Sequence, residues 1–157
     1  MRTDNRNIKN KIISIYFILV VCAILFATVF KSLNLFQINT LYIIIGLFLA
    51  VLFVHFIARF FEYDSDGTNL IIKNKGLILA DFVNYREHKI EIPKYKIEGF
   101  HICNYLVFKS LVLVVKYSDG SIVKERFNIT LLKKKKIKYV RQSLKKIIKQ
   151  NKKVKQG

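Results

Sequence analysis

Two long apolar stretches near the start of the chain constrain its fold more than any other feature. Residues 12–30 contain no charged side chain, and residues 41–58 contain a single ionisable group, His55. At 1.5 Å per residue, a helix over either stretch would measure roughly 27–28 Å, close to the thickness of a bilayer's hydrocarbon core. Only residues 31–40 separate the two stretches. The sequence therefore predicts a membrane α-helical hairpin within residues 12–60.

Small residues recur four positions apart in each apolar stretch. The pairs are Ala23 with Ala27 and Gly46 with Ala50. In an antiparallel hairpin both pairs would lie near the bilayer midplane, where small side chains let two helices approach closely. We therefore expect these four residues to form the packing surface of the hairpin.

The distribution of basic residues predicts the orientation of the hairpin. Residues 1–11 carry four basic side chains, the connecting loop carries only Lys31, and Arg59 follows the second stretch. Positive residues favour the cytoplasmic side, so both termini are expected in the cytoplasm. Residues 1–11 are interpreted as a frayed, basic cytoplasmic N-terminus. They resemble the n-region of a signal peptide, but no cleavage is expected, because the apolar stretch is too long, no small-x-small site closes it and a second stretch follows at once.

Beyond Arg59 the apolar pattern changes to an alternation with period two, which predicts strands. The expected strands cover residues 61–64, 69–73, 77–85, 88–92, 96–103, 107–117 and 121–129. Turns are expected at Asp66-Gly67 and at residues 74–76. Asp119-Gly120, between two alternating runs, is the strongest hairpin signal in the chain.

The last part of the chain returns to a helical period. Thr130 is a candidate cap for an amphipathic helix over residues 133–151, with residues 152–157 as a disordered basic tail. The apolar stripe of this helix consists of Ile137, Val140, Leu144, Ile147 and Ile148. Residues 61–151 are thus predicted to form a mainly-β domain that ends in an amphipathic helix.

Antiparallel strands followed by one amphipathic helix are typical of a pleckstrin-homology-like (PH-like) barrel, in which the helix closes one corner. The two apolar stretches and the turn Ile92-Pro93-Lys94-Tyr95-Lys96-Ile97 resemble bacterial membrane proteins of the YcxB-like or bacterial PH-domain type. The resemblance implies a membrane hairpin carrying a cytoplasmic PH-like barrel. It also implies a location in the bacterial inner (cytoplasmic) membrane. It says almost nothing about the activity of the protein.

The positive charge of the chain is concentrated at its C-terminal end. Residues 133–157 contain 12 basic and no acidic side chains, whereas residues 59–132 contain 11 basic and 9 acidic ones. A hairpin would hold these cations near an anionic membrane surface. The residues expected to contact that surface are Lys133, Lys134, Lys135, Lys136, Lys138, Arg141, Lys145, Lys146 and Lys149.

The sequence contains no recognisable catalytic motif. It has neither a glycine-rich phosphate loop nor a serine nucleophile elbow, and Cys22 and Cys103 have no partners at metal-ligand spacing. We therefore expect no catalytic residues, no metal and no cofactor, and interpret the chain as a binding module rather than an enzyme. Its partner would be anionic lipid headgroups or a protein. The alternative is nucleic-acid or ribosome contact through the lysine-rich tail, where only Tyr139 could stack on a base.

Overall fold

The computed structural model describes residues 1–32, 38–77 and 87–156. Within them the chain is a mixed α/β protein with seven strands and three α-helices. The strands are β1 (Arg2–Asp4), β2 (Arg59–Asp64), β3 (Asn69–Gly76), β4 (His88–Pro93), β5 (Ile97–Tyr105), β6 (Phe108–Lys116) and β7 (Ile122–Asn128). The helices are α1 (Arg6–Ser32), α2 (Ile38–Ile57) and α3 (Lys134–Gln156), and a short 3-10 helix, Lys94–Lys96, joins β4 to β5.

The described strands form two separate antiparallel sheets and not a closed barrel. One sheet has the order β1-β2-β3-β4, and the other has the order β5-β6-β7. The buried side chain of Asn74 in β3 lies between them. Its Nδ2 donates to the carbonyl oxygens of Phe60 (3.1 Å) and Asn128 (2.9 Å). A side-chain amide therefore connects the two sheets at this point.

The first residues of the chain are ordered, contrary to the frayed N-terminus expected from sequence. Strand β1 pairs with β2 in an antiparallel register that sets Thr3 opposite Tyr63. Asn5 is buried, accepts a hydrogen bond from the N–H of Phe61 (3.0 Å) and donates to the carbonyl of Arg59 (2.9 Å). Sequence analysis missed this strand because its partner lies about sixty positions further along the chain, beyond both helices.

Helix α1 is the one described helix whose length and composition suffice to cross a membrane, over Arg6–Val29. The apolar part of α2 within the described residues, Tyr42–Ile57, is shorter. The two helices contact each other. Large apolar side chains such as Phe17 and Phe48 point away from the protein, with 67% and 61% of their surface exposed.

A small apolar cluster joins the helices to the sheets. Ala58, Phe60 and Leu77 are buried and pack against side chains from α1, from α2 and from the segment before α3, namely Ile12, Tyr16, Val54 and Leu131. The joints themselves are short. Asn5 alone separates β1 from α1, and Ala58 alone separates α2 from β2. The helices therefore enter the sheet region without a flexible linker.

The main core lies between the two sheets and α3, and the apolar stripe predicted for α3 is confirmed. Val140, Leu144 and Ile147 are buried, and Ile137 and Ile148 pack against the same core. The core also contains Phe61, Tyr63, Leu70, Ile72, Ile92, Ile97, Leu111, Leu113, Val115, Phe127, Ile129 and Leu132.

Hydrogen bonds fix the position of α3 on the core. The hydroxyl of Tyr63 in β2 donates to Oγ of Ser143 at 2.9 Å, and burial raises the pKa of this tyrosine. Near the far end of the helix, Nδ2 of Asn151 donates to the carbonyls of Lys94 (2.8 Å) and Ile97 (2.9 Å).

Several predicted boundaries differ from the structure. Residues 74–76 belong to β3 and do not form a turn. Thr130 does not cap α3, because its Oγ1 accepts a hydrogen bond from the N–H of Lys109 at 3.0 Å. Residues 152–156 are helical rather than disordered, since α3 extends to Gln156. Residues 78–85 of the strand predicted over residues 77–85 lie outside the described residues.

Candidate functional site: a basic groove beside the C-terminal helix

A groove of about 580 Å³ runs between α3 and the second sheet. Four cations of α3 line it, spaced four, three and four positions apart, so they share one face of the helix. They are Lys134, Lys138, Arg141 and Lys145. Strands β5 and β6 supply the opposite wall with Ile102, Asn104 and Lys109. None of the described residues that line the groove is acidic, so five cations converge there without an internal counter-charge.

Lys109 is the groove residue that sequence analysis missed. It lies at the start of β6, and its backbone is held in place by the segment that follows β7. Its N–H donates to Oγ1 of Thr130 (3.0 Å), and its carbonyl accepts from the N–H of Ile129 (2.9 Å). A lone lysine in a strand carries no sequence signal of a site. Its relevance appears only when the fold brings β6 beside α3.

The nine residues predicted to contact an anionic surface do not form one site. Four of them line the groove. Lys146 lines a different cavity on the other side of α3, together with Ser65 and Lys94. Lys149 lies with Lys145 in a third cavity, beside Gly99 and His101. Lys133 and Lys135 are exposed.

Lys136 has a structural role in holding the N-terminal strand. Its ammonium group donates to the carbonyl oxygen of Asp4 and lies 3.7 Å from the Oδ1 atom of the same residue. This cation is therefore already paired with a carboxylate. It links α3 to β1 and contributes less than its neighbours to a free positive surface.

A second cavity, of about 460 Å³, lies where the helices meet the sheets. Phe56 and Arg59 line it from the end of α2 and the start of β2. Tyr105, Phe108, Lys109, Ser110, Arg126 and Asn128 line it from the second sheet. Lys109 lines both this cavity and the basic groove. One end of the groove therefore lies next to the end of α2.

The small residues predicted to pack the hairpin lie in α1 (Ala23 and Ala27) and α2 (Gly46 and Ala50). A Cβ atom added at Gly46 would meet no described atom within 4 Å. The proposed packing role of these four residues stays a prediction.

Metal chemistry has no candidate site in the described ranges: no group of three or more His, Cys, Asp or Glu side chains there could hold an ion. His88 lies 3.0 Å from a carboxylate oxygen of Glu125 and stacks on Phe127, with ring centroids 4.8 Å apart. Its surroundings are those of a packed surface histidine.

The fold and the groove define the class to which this chain can be assigned. It is a mixed α/β protein with two antiparallel sheets, a C-terminal amphipathic helix, and an N-terminal helix long and apolar enough to cross a membrane. Comparison with protein-family models, curated proteins and solved structures finds no match to the chain.

Proposed function

We propose that this protein is a non-enzymatic, membrane-anchored binding module whose basic groove holds the phosphate of an anionic lipid headgroup. The observation that carries the proposal is the convergence of five cations on one groove, four from a single face of α3 and one, Lys109, from β6. Mutual repulsion makes such a cluster unfavourable when it is empty. A bound phosphate offsets that repulsion.

Strand pairing supports a hairpin that crosses the membrane twice. Strand β1 precedes α1 and β2 follows α2, yet the two strands are hydrogen-bonded neighbours. Both must lie on the same side of a bilayer, so the chain crosses it an even number of times between them. If α1 crosses, the chain must return before Arg59, and α2 is the apolar helix placed to do so.

The basic residues that flank the helices favour the cytoplasmic side for the sheets and α3. On this topology the protein lies in the bacterial inner membrane with both termini in the cytoplasm. The cytoplasmic leaflet is anionic and attracts basic segments close to its surface. Because Lys109 also lines the cavity beside the end of α2, one end of the groove would lie near this leaflet.

Seven described antiparallel strands and a C-terminal helix support the PH-like character of the domain, with the helical hairpin inserted between its first two strands. The composition of the groove suits a phosphate group. Arg141 can donate two parallel hydrogen bonds to phosphate oxygens, and the lysines supply point charges around it. Ile102 and Ile137, from opposite walls, add apolar surface that the glycerol part of a lipid can contact.

Nucleic acid is the second candidate ligand, since lysine clusters bind phosphate backbones without sequence specificity. Binding of single strands normally adds aromatic stacking of the bases. None of the described residues that line the groove is aromatic, and Tyr139 of α3 is not among them. A protein partner remains the other partner class that the sequence suggests. The lack of aromatic side chains among the described groove residues favours the lipid headgroup over nucleic acid.

The test compares two triple variants of the full-length protein that lose the same charge. One carries Lys138→Gln, Arg141→Gln and Lys145→Gln in the groove. The other carries Lys133→Gln, Lys135→Gln and Lys153→Gln at exposed positions outside the described cavities. Each protein is reconstituted with phosphatidylcholine and a minor share of phosphatidylglycerol. The lipids it retains after transfer to neutral detergent are then counted by native mass spectrometry.

The unmodified protein and the exposed-site variant are expected to retain phosphatidylglycerol selectively. At about 1 kcal/mol per cation, the groove variant should lose roughly a hundredfold in this preference. Equal losses in both variants would show diffuse attraction by the tail instead of a site. Absence of selectivity in the unmodified protein would refute the proposal. Tight, salt-sensitive binding of single-stranded RNA in its place would favour the second candidate.

A further inference from the structure

The turn between β5 and β6 exposes four consecutive apolar or aromatic residues, which we call the tip: Tyr105, Leu106, Val107 and Phe108. Leu106 is completely exposed, and 60%, 53% and 41% of the surfaces of Tyr105, Val107 and Phe108 are accessible. Contiguous apolar patches of this kind on a soluble surface usually mark a contact with a partner or a membrane. Nothing in the basic groove explains these side chains.

The backbone of the tip makes its composition more unusual. Tyr105 pairs with Phe108, so Leu106 and Val107 form a two-residue hairpin turn. Such turns need positive φ angles and therefore favour asparagine and glycine. Leu106 adopts a φ of +46°, a conformation that is strained for a residue with a branched side chain. An asparagine would satisfy the turn and suit water. Leu106 suits neither the turn conformation nor contact with water, which indicates that its side chain contacts something other than water.

The position of the tip identifies that environment. The ring of Phe108 contacts the ring of Phe53 edge to face, with centroids 6.3 Å apart. Phe53 lies four residues, or about 6 Å along the axis, before the end of α2. Tyr105 and Phe108 also share a cavity with Phe56. The tip therefore lies at the level of the last turn of a helix that we place in the membrane.

We propose that the tip inserts into the cytoplasmic leaflet beside the end of α2, as a membrane contact in addition to the two helices. This inference rests on the proposed function, because it requires α2 to be in the bilayer. The tip would lie in the interfacial region of the bilayer, between the lipid headgroups and the acyl chains. Leu106 and Val107 contact the chains, and Tyr105 presents an apolar ring with a polar end, as interfacial tyrosines do.

Charge next to the tip matches this partner. Lys109 and Arg126 line the cavity that Tyr105 and Phe108 line, and the described residues of that cavity include no acidic side chain. Cations directly above an inserted apolar tip would meet the phosphates of the same leaflet. The tip and the basic groove are connected through Lys109, so insertion would hold the groove at the height of the headgroups.

The absence of tryptophan from the chain allows a direct test with single-tryptophan variants of the full-length protein. Leu106→Trp places the probe in the tip, and Val107→Trp provides a second probe there. Phe48→Trp reports on the exposed face of α2. Tyr117→Trp lies at the other end of β6, roughly 30 Å away for a strand of nine residues. Each variant is reconstituted in phosphatidylcholine and phosphatidylglycerol vesicles, with and without bromine on the acyl chains.

Brominated chains are expected to quench Leu106→Trp and Val107→Trp to an extent comparable to Phe48→Trp, and to leave Tyr117→Trp unchanged. Aqueous iodide should quench Tyr117→Trp alone. If iodide quenches both tip probes and bromine does not, the tip is in water and the inference is wrong. Protection of the tip from both quenchers would also overturn it and would assign the tip to contact with a second copy of the chain. If Phe48→Trp itself resists bromine, the membrane hairpin fails, and the tip inference fails with it.

Discussion

The two turns at the ends of strand β6 each contain one residue with a positive φ, but their chemistry is opposite. The turn between β6 and β7 contains Asp119 and Gly120, whereas the turn between β5 and β6 contains Leu106 and Val107. Gly120 has a φ of +84°, and Leu106 has a φ of +46°. Asp119 and Gly120 suit both the backbone conformation of their turn and contact with water. Leu106 and Val107 suit neither the backbone conformation nor contact with water. The difference is the one expected if, as proposed above, the tip inserts into lipid while the turn at the other end of β6 stays in water.

Local hydrogen bonds complete the contrast. At the water-facing turn the N–H and Oγ of Ser121 both donate to Oδ1 of Asp119, at 2.9 and 2.7 Å. The N–H of Gly120 donates to the carbonyl of Tyr117 at 3.0 Å. At the tip, the described contact is between the rings of Phe108 and Phe53. One turn is stabilised by its own polar groups and the other by a neighbouring helix.

The largest effect is expected from removing the glycine of the water-facing turn. Gly120→Val forces a β-branched residue to a positive φ and should lower the free energy of unfolding by about 1–3 kcal/mol. A Cβ atom at this position would meet no described atom within 4 Å, so the cost is one of the backbone alone. Thermal unfolding of the full-length protein in neutral micelles measures it. Gly120→Asn is the control and should cost less, because asparagine tolerates this conformation.

A smaller effect tests the contact that links the tip to α2. A double-mutant cycle with Phe53→Leu and Phe108→Leu should give a coupling free energy of about 0.5–1.5 kcal/mol, as for other aromatic pairs. The matched cycle at the far end of β6 uses Lys96→Met and Tyr117→Leu, where the ammonium lies 5.7 Å from the ring centroid. This exposed pair should couple by about 0.5 kcal/mol. Unfolding in mixed micelles measures both coupling free energies. A coupling of zero between Phe53 and Phe108 would show that their ring contact does not connect the tip to α2.

The smallest effect concerns pH. The hydrogen bonds from Ser121 hold the pKa of Asp119 below its ordinary value near 3.8. A carboxyl group with a lowered pKa in the folded state adds stability above its unfolded pKa, and this stability is lost as the pH falls through the folded pKa. Asp119→Asn should therefore reduce stability at neutral pH and converge with the unmodified protein in acid. Thermal unfolding from pH 7 down to about pH 2, which extends below the ordinary pKa, checks this. Ser121→Ala should narrow the difference, whereas an unchanged pH profile in Asp119→Asn would contradict the assignment.

The same two turns show what sequence analysis could predict. Asp119-Gly120 was identified because its local conformational preference and its tertiary role agree. The sequence predicts strands over residues 96–103 and 107–117, which leaves residues 104–106 as their connection and places Val107 in a strand. The structure instead extends β5 to Tyr105 and forms the turn at Leu106-Val107, because the pairing of the flanking strands imposes this conformation against local preference. The apolar stripe of α3 was predicted correctly because helical periodicity is a local property.

Long-range contacts account for the other differences. Strand β1 depends on β2, and the groove depends on Lys109, whose position is fixed by Thr130. Lys136 belongs to an unbroken run of four lysines in the sequence, yet only the fold pairs it with Asp4. The sequence indicated that the C-terminal helix carries the charge. Which of its cations share a site depends on the strands against which the helix packs.

The insertion of the helices between β1 and β2 has a consequence for the order of folding. Arg2 and Glu62 form a hydrogen bond although they are 60 positions apart. Closing a flexible loop of that length would cost on the order of 3–4 kcal/mol in chain entropy. Two packed antiparallel helices bring their ends within about 10 Å of each other, so in the proposed membrane hairpin most of this entropy would be lost before β1 pairs with β2. Insertion of the hairpin into the membrane would thus precede completion of the first sheet, because the paired helices would place β1 next to β2.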